Sequence, residues 1–414
     1  MNITVKGIKE ITNNKIDVIA SKSYGHRILI ASALSKEDTV IRNLPAGDDI
    51  EATIECLKNM GVKIEDGTVK GDTNWTKGKV SLYCNESGST LRFLLPVCAA
   101  LLDEVEITGQ ESLINRPMDE LLDVMKEHGV EVVRSENSIS LKGRLTSGEY
   151  RIPGNVSSQY ITGLMMALPL IDGESDIKLT TPLVSKGYID ITMDVLRRYN
   201  VRVVGVDDGY HIPGNQVYET PGERVVEADF SAAANFIVAG VLGEEIGVGK
   251  LNSFTYQGDR AIMELVSRFG GKAPVSSGYV FGGKKDEEIG EDSERTIDVD
   301  NTPDLMPILA VLAANTPGTT VFTNCGRLKN KESNRLNNTE DMINTLGGSA
   351  AVLGDSLIVK GTGLKGGTVS GYNDHRMVMA EAVASVCSEE PVTIIGCEAV
   401  NKSYRDYFEF FNQV

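Results

Sequence analysis

The sequence predicts an α/β protein of two lobes, each assembled from three copies of one repeat. Three observations lead there. A helix, a glycine or asparagine cap and a two-strand hairpin recur five times. The caps Gly61, Gly129, Asn200, Gly270 and Gly347 are 68, 71, 70 and 77 residues apart. At that spacing the 414-residue chain holds about six units, and its length suits two or three domains.

Each element follows from its residues. The spacing of apolar positions predicts amphipathic helices over 49–59, 118–127, 188–199, 259–268 and 335–345. The cap after each supplies the left-handed backbone that ends a helix. Behind the caps, VKIEDGTVKG, VEVVRSENSISLKG, VRVVGVDDGYHIPG, GKAPVSSGYVFGG and GSAAVLGDSLIVKG alternate like strands around turn pairs such as DG and EN. The longer last interval matches an acidic insertion at 284–294, expected to be a solvated loop. A sixth helix fits 403–412, but the chain ends before its hairpin. NITVKG and KIDVIA at the N-terminus are expected to supply those strands. Both termini then share a lobe, giving 21–227 as one lobe and 1–20 plus 228–414 as the other, with a ligand site in the cleft between them. More apolar helices are expected at 27–34, 90–102, 158–170, 231–242, 304–314 and 376–386.

Composition narrows the partners. With 41 basic and 58 acidic side chains the net charge is −17, which argues against nucleic acid, because phosphate neutralisation needs a basic face. A small anionic substrate is compatible, since a few local cations outweigh the global charge. Six cysteines without a CxxC pair read as buried thiols in a reducing compartment. No His/Cys cluster has metal-ligand spacing, so no metal is expected. The start MNITVKGIKE has no signal-peptide core, and the apolar run at 160–171 is too short to span a bilayer. A cytoplasmic monomer without nucleic-acid or membrane partners is expected.

Chemistry-bearing residues gather where the apolar helices begin, and helix N-termini favour anions. In order they are Ser21-Lys22-Ser23-Tyr24-Gly25-His26-Arg27, Glu86-Ser87-Gly88-Ser89-Thr90-Leu91-Arg92, Asn115-Arg116-Pro117-Met118 and Gly154-Asn155-Val156-Ser157-Ser158-Gln159, with Ser185-Lys186-Gly187-Tyr188 a weaker companion. Asp300-Asn301-Thr302-Pro303-Asp304, the run Arg327 to Arg335, Asp374-His375-Arg376-Met377 and Asn401-Lys402-Ser403 follow. Gly88 admits a ligand close to the backbone, though no G-K-[ST] follows to make a Walker loop. Arg116 can grip a carboxylate with its fork. Partial burial of Asp304 at a helix start is expected to tune it as a base. Taken singly, each segment also fits a capped helix or a solvated charge run. Together, Lys22, Arg27, Arg92, Arg116, Lys331, Arg335, Arg376 and Lys402 beside helix starts from both halves point to strong anions as ligands.

In this order, SKSYGHR, ESGSTLR, NRPM, GNVSSQ, SKGYIDIT, TPDLM, LKNKESNR, NDHRM and NKSY resemble the EPSP synthase family, the 3-phosphoshikimate 1-carboxyvinyltransferases, across essentially the whole chain. The resemblance implies an inverse α/β barrel fold of six βαβαββ units, three per lobe. It implies transfer of the enolpyruvyl group of phosphoenolpyruvate to the 5-hydroxyl of shikimate 3-phosphate, with release of phosphate and without cofactor. It implies that Lys22, Ser23, Arg27, Ser157, Ser158, Ser185, Asp304 and Lys331 contact shikimate 3-phosphate and that Gln159 lies between the substrates. Lys22, Gly88, Arg116, Arg335, Arg376 and Lys402 are then expected around phosphoenolpyruvate, where the inhibitor glyphosate also binds. Lys22, Asp304 and Glu332 would be catalytic, Asp304 as base and Glu332 as proton donor. Arg327, Arg405, Ser89 and Phe93 depart from the family's common pattern. The related UDP-N-acetylglucosamine enolpyruvyl transferases carry a reactive cysteine shortly before the Arg-Pro pair, and 108–115 contains none here. A non-catalytic anion binder of the same fold is the other alternative, disfavoured by the presence of both Asp304 and Glu332.

Overall fold

The computed structural model describes residues 1–6, 14–220, 222–284 and 289–412. Residues 285–288 of the acidic insertion and Gly7 of NITVKG therefore lie outside the described residues. The chain divides into two compact units, Ala20–Val226 and Met1–Ile19 with Glu227–Val414.

All five caps take positive φ: +105° at Gly61, +92° at Gly129, +56° at Asn200, +71° at Gly270 and +83° at Gly347. A Cβ is disfavoured there, and asparagine is the residue that tolerates it best after glycine. The hairpins behind them build mixed sheets with one recurring order. In the clearest, Lys79–Tyr83 runs parallel to Glu104–Thr108, which pairs antiparallel with Ser138–Gly143, itself antiparallel to Val130–Arg134. Glu149–Ile152, Glu174–Leu179, Gly209–Pro213 and Val204–Val206 repeat that order, and so do Glu294–Asp298, Thr319–Thr323, Ser356–Lys360 and Ser349–Leu353.

The N-terminal strands do not stay together. Asn2–Val5 pairs antiparallel with Val392–Ile395 in the last sheet, as expected. KIDVIA contributes Lys15–Asp17 to a different sheet, parallel to Ile246–Gly249. The recurring order explains this, because each sheet needs an edge strand parallel to its second strand. Lys15–Asp17 fills that place beside Ile246–Gly249, and Glu223–Val225 fills it beside Thr39–Arg42.

Two of the repeat helices differ from expectation. The segment 259–268 is a short α-helix, Ile262–Leu265, between 3-10 turns Gly258–Ala261 and Val266–Phe269. Asp259 is buried and accepts a hydrogen bond from the Ser231 hydroxyl, which holds the first turn tight. At the C-terminus, the expected helix 403–412 is reduced to Tyr407–Phe411, preceded by a 3-10 turn Cys397–Lys402. Tyr404, Tyr407 and Phe411 pack on Phe236, so ring contacts fix this segment more than helix length does.

Each unit has its own core, lined by the apolar helices. Lys22–Ala33, Gly88–Leu101 and Ser158–Ala167 line one; Phe230–Leu242, Met306–Ala314 and His375–Ala384 line the other. Gly163 brings the 158–167 helix so close to the 88–101 helix that a Cβ would stand 2.4 Å from the Arg92 carbonyl oxygen. That approach sets Gln159 beside Arg92. Among the described residues no helix is long and apolar enough to cross a membrane.

Candidate active site

The unit Ala20–Val226 carries the first group of predicted residues. Ser21 caps the 22–33 helix by accepting from the Tyr24 amide, so Lys22 and Ser23 stand in its first turn. The Lys22 ammonium donates to Asp49 Oδ2 at 2.7 Å, with both side chains mostly shielded. Arg27 is buried. It donates to Thr192 Oγ1 at 2.8 Å, the Ser23 carbonyl at 2.7 Å, Thr162 Oγ1 at 3.3 Å and the Tyr188 carbonyl at 3.1 Å. Burial pushes its pKa down to about 10. Arg27 thus ties three helices together beneath Ser23.

Ser87 caps the 88–101 helix, and Gly88 is its first residue. A Cβ on Gly88 would lie 3.0 Å from Arg116 Nη1, 3.3 Å from Arg92 Nη1 and 3.7 Å from Gln159 Oε1. Gln159 accepts from Arg92 Nη1 at 2.7 Å and donates to Ser89 Oγ at 3.0 Å. Gly88, Arg116 and Gln159 therefore meet, and Arg92 stands among them. The turn bearing Arg116 is held by Arg134, which donates to the Ile114 and Arg116 carbonyls, and by the Tyr160 hydroxyl on the Pro117 carbonyl. Ser157 caps the 158–167 helix through the Gln159 amide, and Ser158 is its first residue. Ser185 precedes the Lys186–Arg198 helix with φ +54°, a left-handed conformation that a serine holds only at some cost.

The second group lies in the other unit. Arg335 is buried and donates to three carboxylates: Asp304 Oδ1 at 2.8 Å, Glu332 Oε2 at 2.6 Å, and both oxygens of Asp374 at 3.0 and 3.1 Å. Burial works against its charge, yet Asp374, Glu332 and Asp304 raise its pKa. Asp304 faces three cations, with Lys331 Nζ at 3.5 Å, Arg335 Nη1 at 2.8 Å and Arg376 Nη2 at 3.6 Å. Asp374 Oδ1 also caps the 375–384 helix through the Arg376 amide at 2.9 Å. Lys402 donates to the Asn373 carbonyl at 2.6 Å, and Tyr372 and Asn373 both have positive φ.

Asp304 departs from expectation. It sits in the 3-10 turn Pro303–Leu305 and is the N-cap residue neither of that turn, which is Thr302, nor of the helix that follows, which is Leu305. Burial favours the neutral acid, but Lys331, Arg335 and Arg376 outweigh it and hold the carboxyl well below its ordinary 3.8. Burial therefore does not raise Asp304 towards neutrality as the sequence suggested. A neighbouring carboxyl does move that way. Asp259, buried and facing the Asp304 charge, is pushed up to about 7. Lys331 is lowered by burial against the pull of Asp304.

Sequence reasoning did not assign Asp49, Asp259 or Asp374. Asp374 lay inside a motif already singled out, and four hydrogen bonds converge on it. Among the described residues no cluster of His, Cys, Asp and Glu could hold a metal ion.

Solved structures share this fold of two units built from mixed sheets. The enolpyruvyl transferase NikO from Streptomyces tendae superposes with a TM-score of 0.77 over 99% of this chain and 96% of its own, at 18% identity. An EPSP synthase from Acinetobacter baumannii superposes with a TM-score of 0.78 over 100% and 98%, at 23% identity. Sequence goes further than fold. The family profile of EPSP synthase (3-phosphoshikimate 1-carboxyvinyltransferase) matches residues 5–411. A 3-phosphoshikimate 1-carboxyvinyltransferase from Clostridium novyi is 40% identical over 99% of this chain and 97% of its own. One from Brachyspira hyodysenteriae is 35% identical over 100% and 99%. The chain belongs to the EPSP synthase family.

Proposed function

We propose that this chain transfers the enolpyruvyl group of phosphoenolpyruvate to the 5-hydroxyl of shikimate 3-phosphate and releases phosphate. Within its family, the observation that carries the reading is the convergence of Lys331, Arg335 and Arg376 on Asp304. Arg335 is shared with Glu332 and Asp374, and an incoming phosphate or carboxylate can compete with these carboxylates for the three cations. Asp304 then loses part of the field that depresses it, and its basicity rises as the substrates arrive.

In this reading, Lys22, Ser23, Arg27, Ser157, Ser158, Ser185 and Lys331 hold shikimate 3-phosphate, and Gln159 lies between the substrates. The Gly88 pocket with Arg116, together with Lys22, Arg335, Arg376 and Lys402, holds phosphoenolpyruvate. Arg92 joins that pocket through Gln159. Arg27 acts from beneath, since four of its five N–H groups are bonded to the scaffold. Glu332 delivers a proton to the methylene carbon, which makes C2 cationic. The 5-hydroxyl oxygen attacks C2 while Asp304 takes its proton. Glu332 then takes a proton back from the methyl group, the C2–O bond to phosphate breaks, and the double bond re-forms. Fixed cations stabilise the departing charge. On the larger scale, each unit is read as an inverse α/β barrel of three βαβαββ units, and the protein as a cytoplasmic monomer.

The test is phosphate release from phosphoenolpyruvate with either shikimate 3-phosphate or UDP-N-acetylglucosamine as acceptor. Release with the first alone is expected. Release with the second, or with neither, overturns the proposal.

A further inference from the structure

His26 sits in the first helix, one residue before Arg27 and four after Lys22, and it is fully buried. It is the start of a chain of polar contacts in which every member is buried. His26 Nδ1 lies 2.8 Å from Thr53 Oγ1, Thr53 Oγ1 lies 2.6 Å from Thr90 Oγ1, and the Thr90 hydroxyl donates to Ser87 Oγ at 2.6 Å. The chain crosses three helices. Thr53 belongs to Asp48–Asn59, whose Asp49 pairs with Lys22; Thr90 and its cap Ser87 belong to the helix of Gly88 and Arg92.

Proton counting gives the chain a direction. A threonine hydroxyl has one hydrogen to donate. Of its two acceptors, Ser87 Oγ at 2.6 Å and the Asp49 carbonyl at 3.3 Å, Thr90 serves the nearer, so the hydrogen between Thr53 and Thr90 comes from Thr53. Thr53 then has none left for the ring, and His26 Nδ1 must carry one. This leaves Nε2 as a bare nitrogen. That agrees with its burial without a hydrogen-bond partner, because an orphaned buried N–H is the rarer and costlier case. The Phe93 ring stands edge-on to the imidazole, 6.4 Å between centroids. Burial and the charges of Lys22 and Arg27 keep the ring neutral.

We propose that His26 is a positioning residue, held as the Nδ1–H tautomer, whose relay through Thr53 and Thr90 to Ser87 fixes Gly88 and Arg92 against the Lys22–Asp49 pair. The relay sets the distance between two helix starts, and so between the Lys22 ammonium and the Gly88 pocket. The functional half of this inference rests on reading that pocket as the phosphoenolpyruvate site.

Two measurements test it. In ¹⁵N-histidine spectra of the wild-type protein, His26 should show a protonated Nδ1 and an unprotonated Nε2. The opposite tautomer overturns the relay, whether or not the protein turns over substrate. In kinetics, Thr53→Val removes the hydroxyl at nearly constant shape, and Thr53→Ser restores it. Loss of one such bond is expected to raise KM for phosphoenolpyruvate about tenfold in Thr53→Val, with kcat changed by less than about threefold. KM for shikimate 3-phosphate should stay unchanged, and Thr53→Ser should bring the phosphoenolpyruvate value back. A parallel rise in both KM values, or no rescue by serine at equal melting temperature, overturns the positioning role. Absence of wild-type turnover would instead overturn the parent reading, and the nitrogen spectrum would then decide the relay.

Discussion

In Ala20–Val226, Arg27 is bonded to two threonine hydroxyls and two backbone carbonyls, whereas in the other unit Arg335 is bonded to three carboxylates. Both guanidinium groups are buried, and both sit at the base of a group of predicted site residues. The first is held by neutral groups, and so is its neighbour Arg92, through Gln159 and the Pro117 carbonyl. The second belongs to a network in which Asp304 alone meets three cations. The difference teaches where each unit is fragile. A neutral hydroxyl can be lost for about 1 kcal/mol, but removing one ion from a buried network strands its partners.

Asp304 should show the largest effect. Asp304→Asn removes the base of the proposed reaction, and kcat should fall on the order of 10²–10⁴-fold. Asp304→Asn also takes the charge from a carboxylate that three cations face, so melting temperature should fall as well, but turnover per folded molecule should fall further. Normal kcat with a lowered melting temperature would show that the charged network is scaffold only. Asp374→Ala comes next and should act on stability. It strands the Arg335 Nε donor, leaves Nη2 with Glu332 alone and uncaps the 375–384 helix, so denaturant unfolding should record a loss of about 3–5 kcal/mol. A loss as small as that of Thr192→Val beneath Arg27 would erase the contrast between the units.

Gly88→Ala probes the neutral side. The new methyl group would stand 3.0 Å from Arg116 Nη1, close enough that the guanidinium must move by a few tenths of an ångström. Both contacts under 3.4 Å are ends of flexible side chains, so folding should survive. KM for phosphoenolpyruvate should rise on the order of tenfold, and inhibition by glyphosate should weaken, with kcat less affected. Unaltered inhibition would remove this loop from the phosphoenolpyruvate site.

Much of this was legible in the sequence because it depends on local chemistry. Gly61, Gly129, Asn200, Gly270 and Gly347 announce left-handed caps through their own conformational preference. Ser21, Ser87 and Ser157 announce helix starts because they accept backbone amides. What escaped depends on partners far along the chain. Lys15–Asp17 found its parallel neighbour more than two hundred residues away, at Ile246–Gly249. Asp304 was read as a carboxyl raised by burial, but its ionisation is set by side chains at 331, 335 and 376 that a local pattern does not place. Asp259 was hidden inside an expected helix, and Asp374 inside a capping segment whose second role needed Arg335.

Glu381 tests whether the unit that holds Arg335 carries a burden that the unit of Arg27 avoids. It lies two turns along the 375–384 helix from Asp374, fully buried, and neither carboxyl oxygen has a hydrogen-bond partner. Burial first, and the charge of Asp374 second, raise its pKa well above the ordinary 4.5. The sign follows directly. Between pH 4.5 and the raised folded value, the unfolded chain gives up the proton that the folded chain keeps. Stability therefore falls as pH rises through that window. Glu381→Met replaces the acid with an apolar side chain of similar length and removes the penalty. The variant should gain about 1–2 kcal/mol near pH 7 and less near pH 4, read from urea unfolding at both values. Near-normal turnover is expected, because Asp374 keeps its bonds to Arg335 and Ser333. A loss of stability, or a gain that is the same at both pH values, would mean that Glu381 is solvated or paired and that the charged unit holds it at no cost.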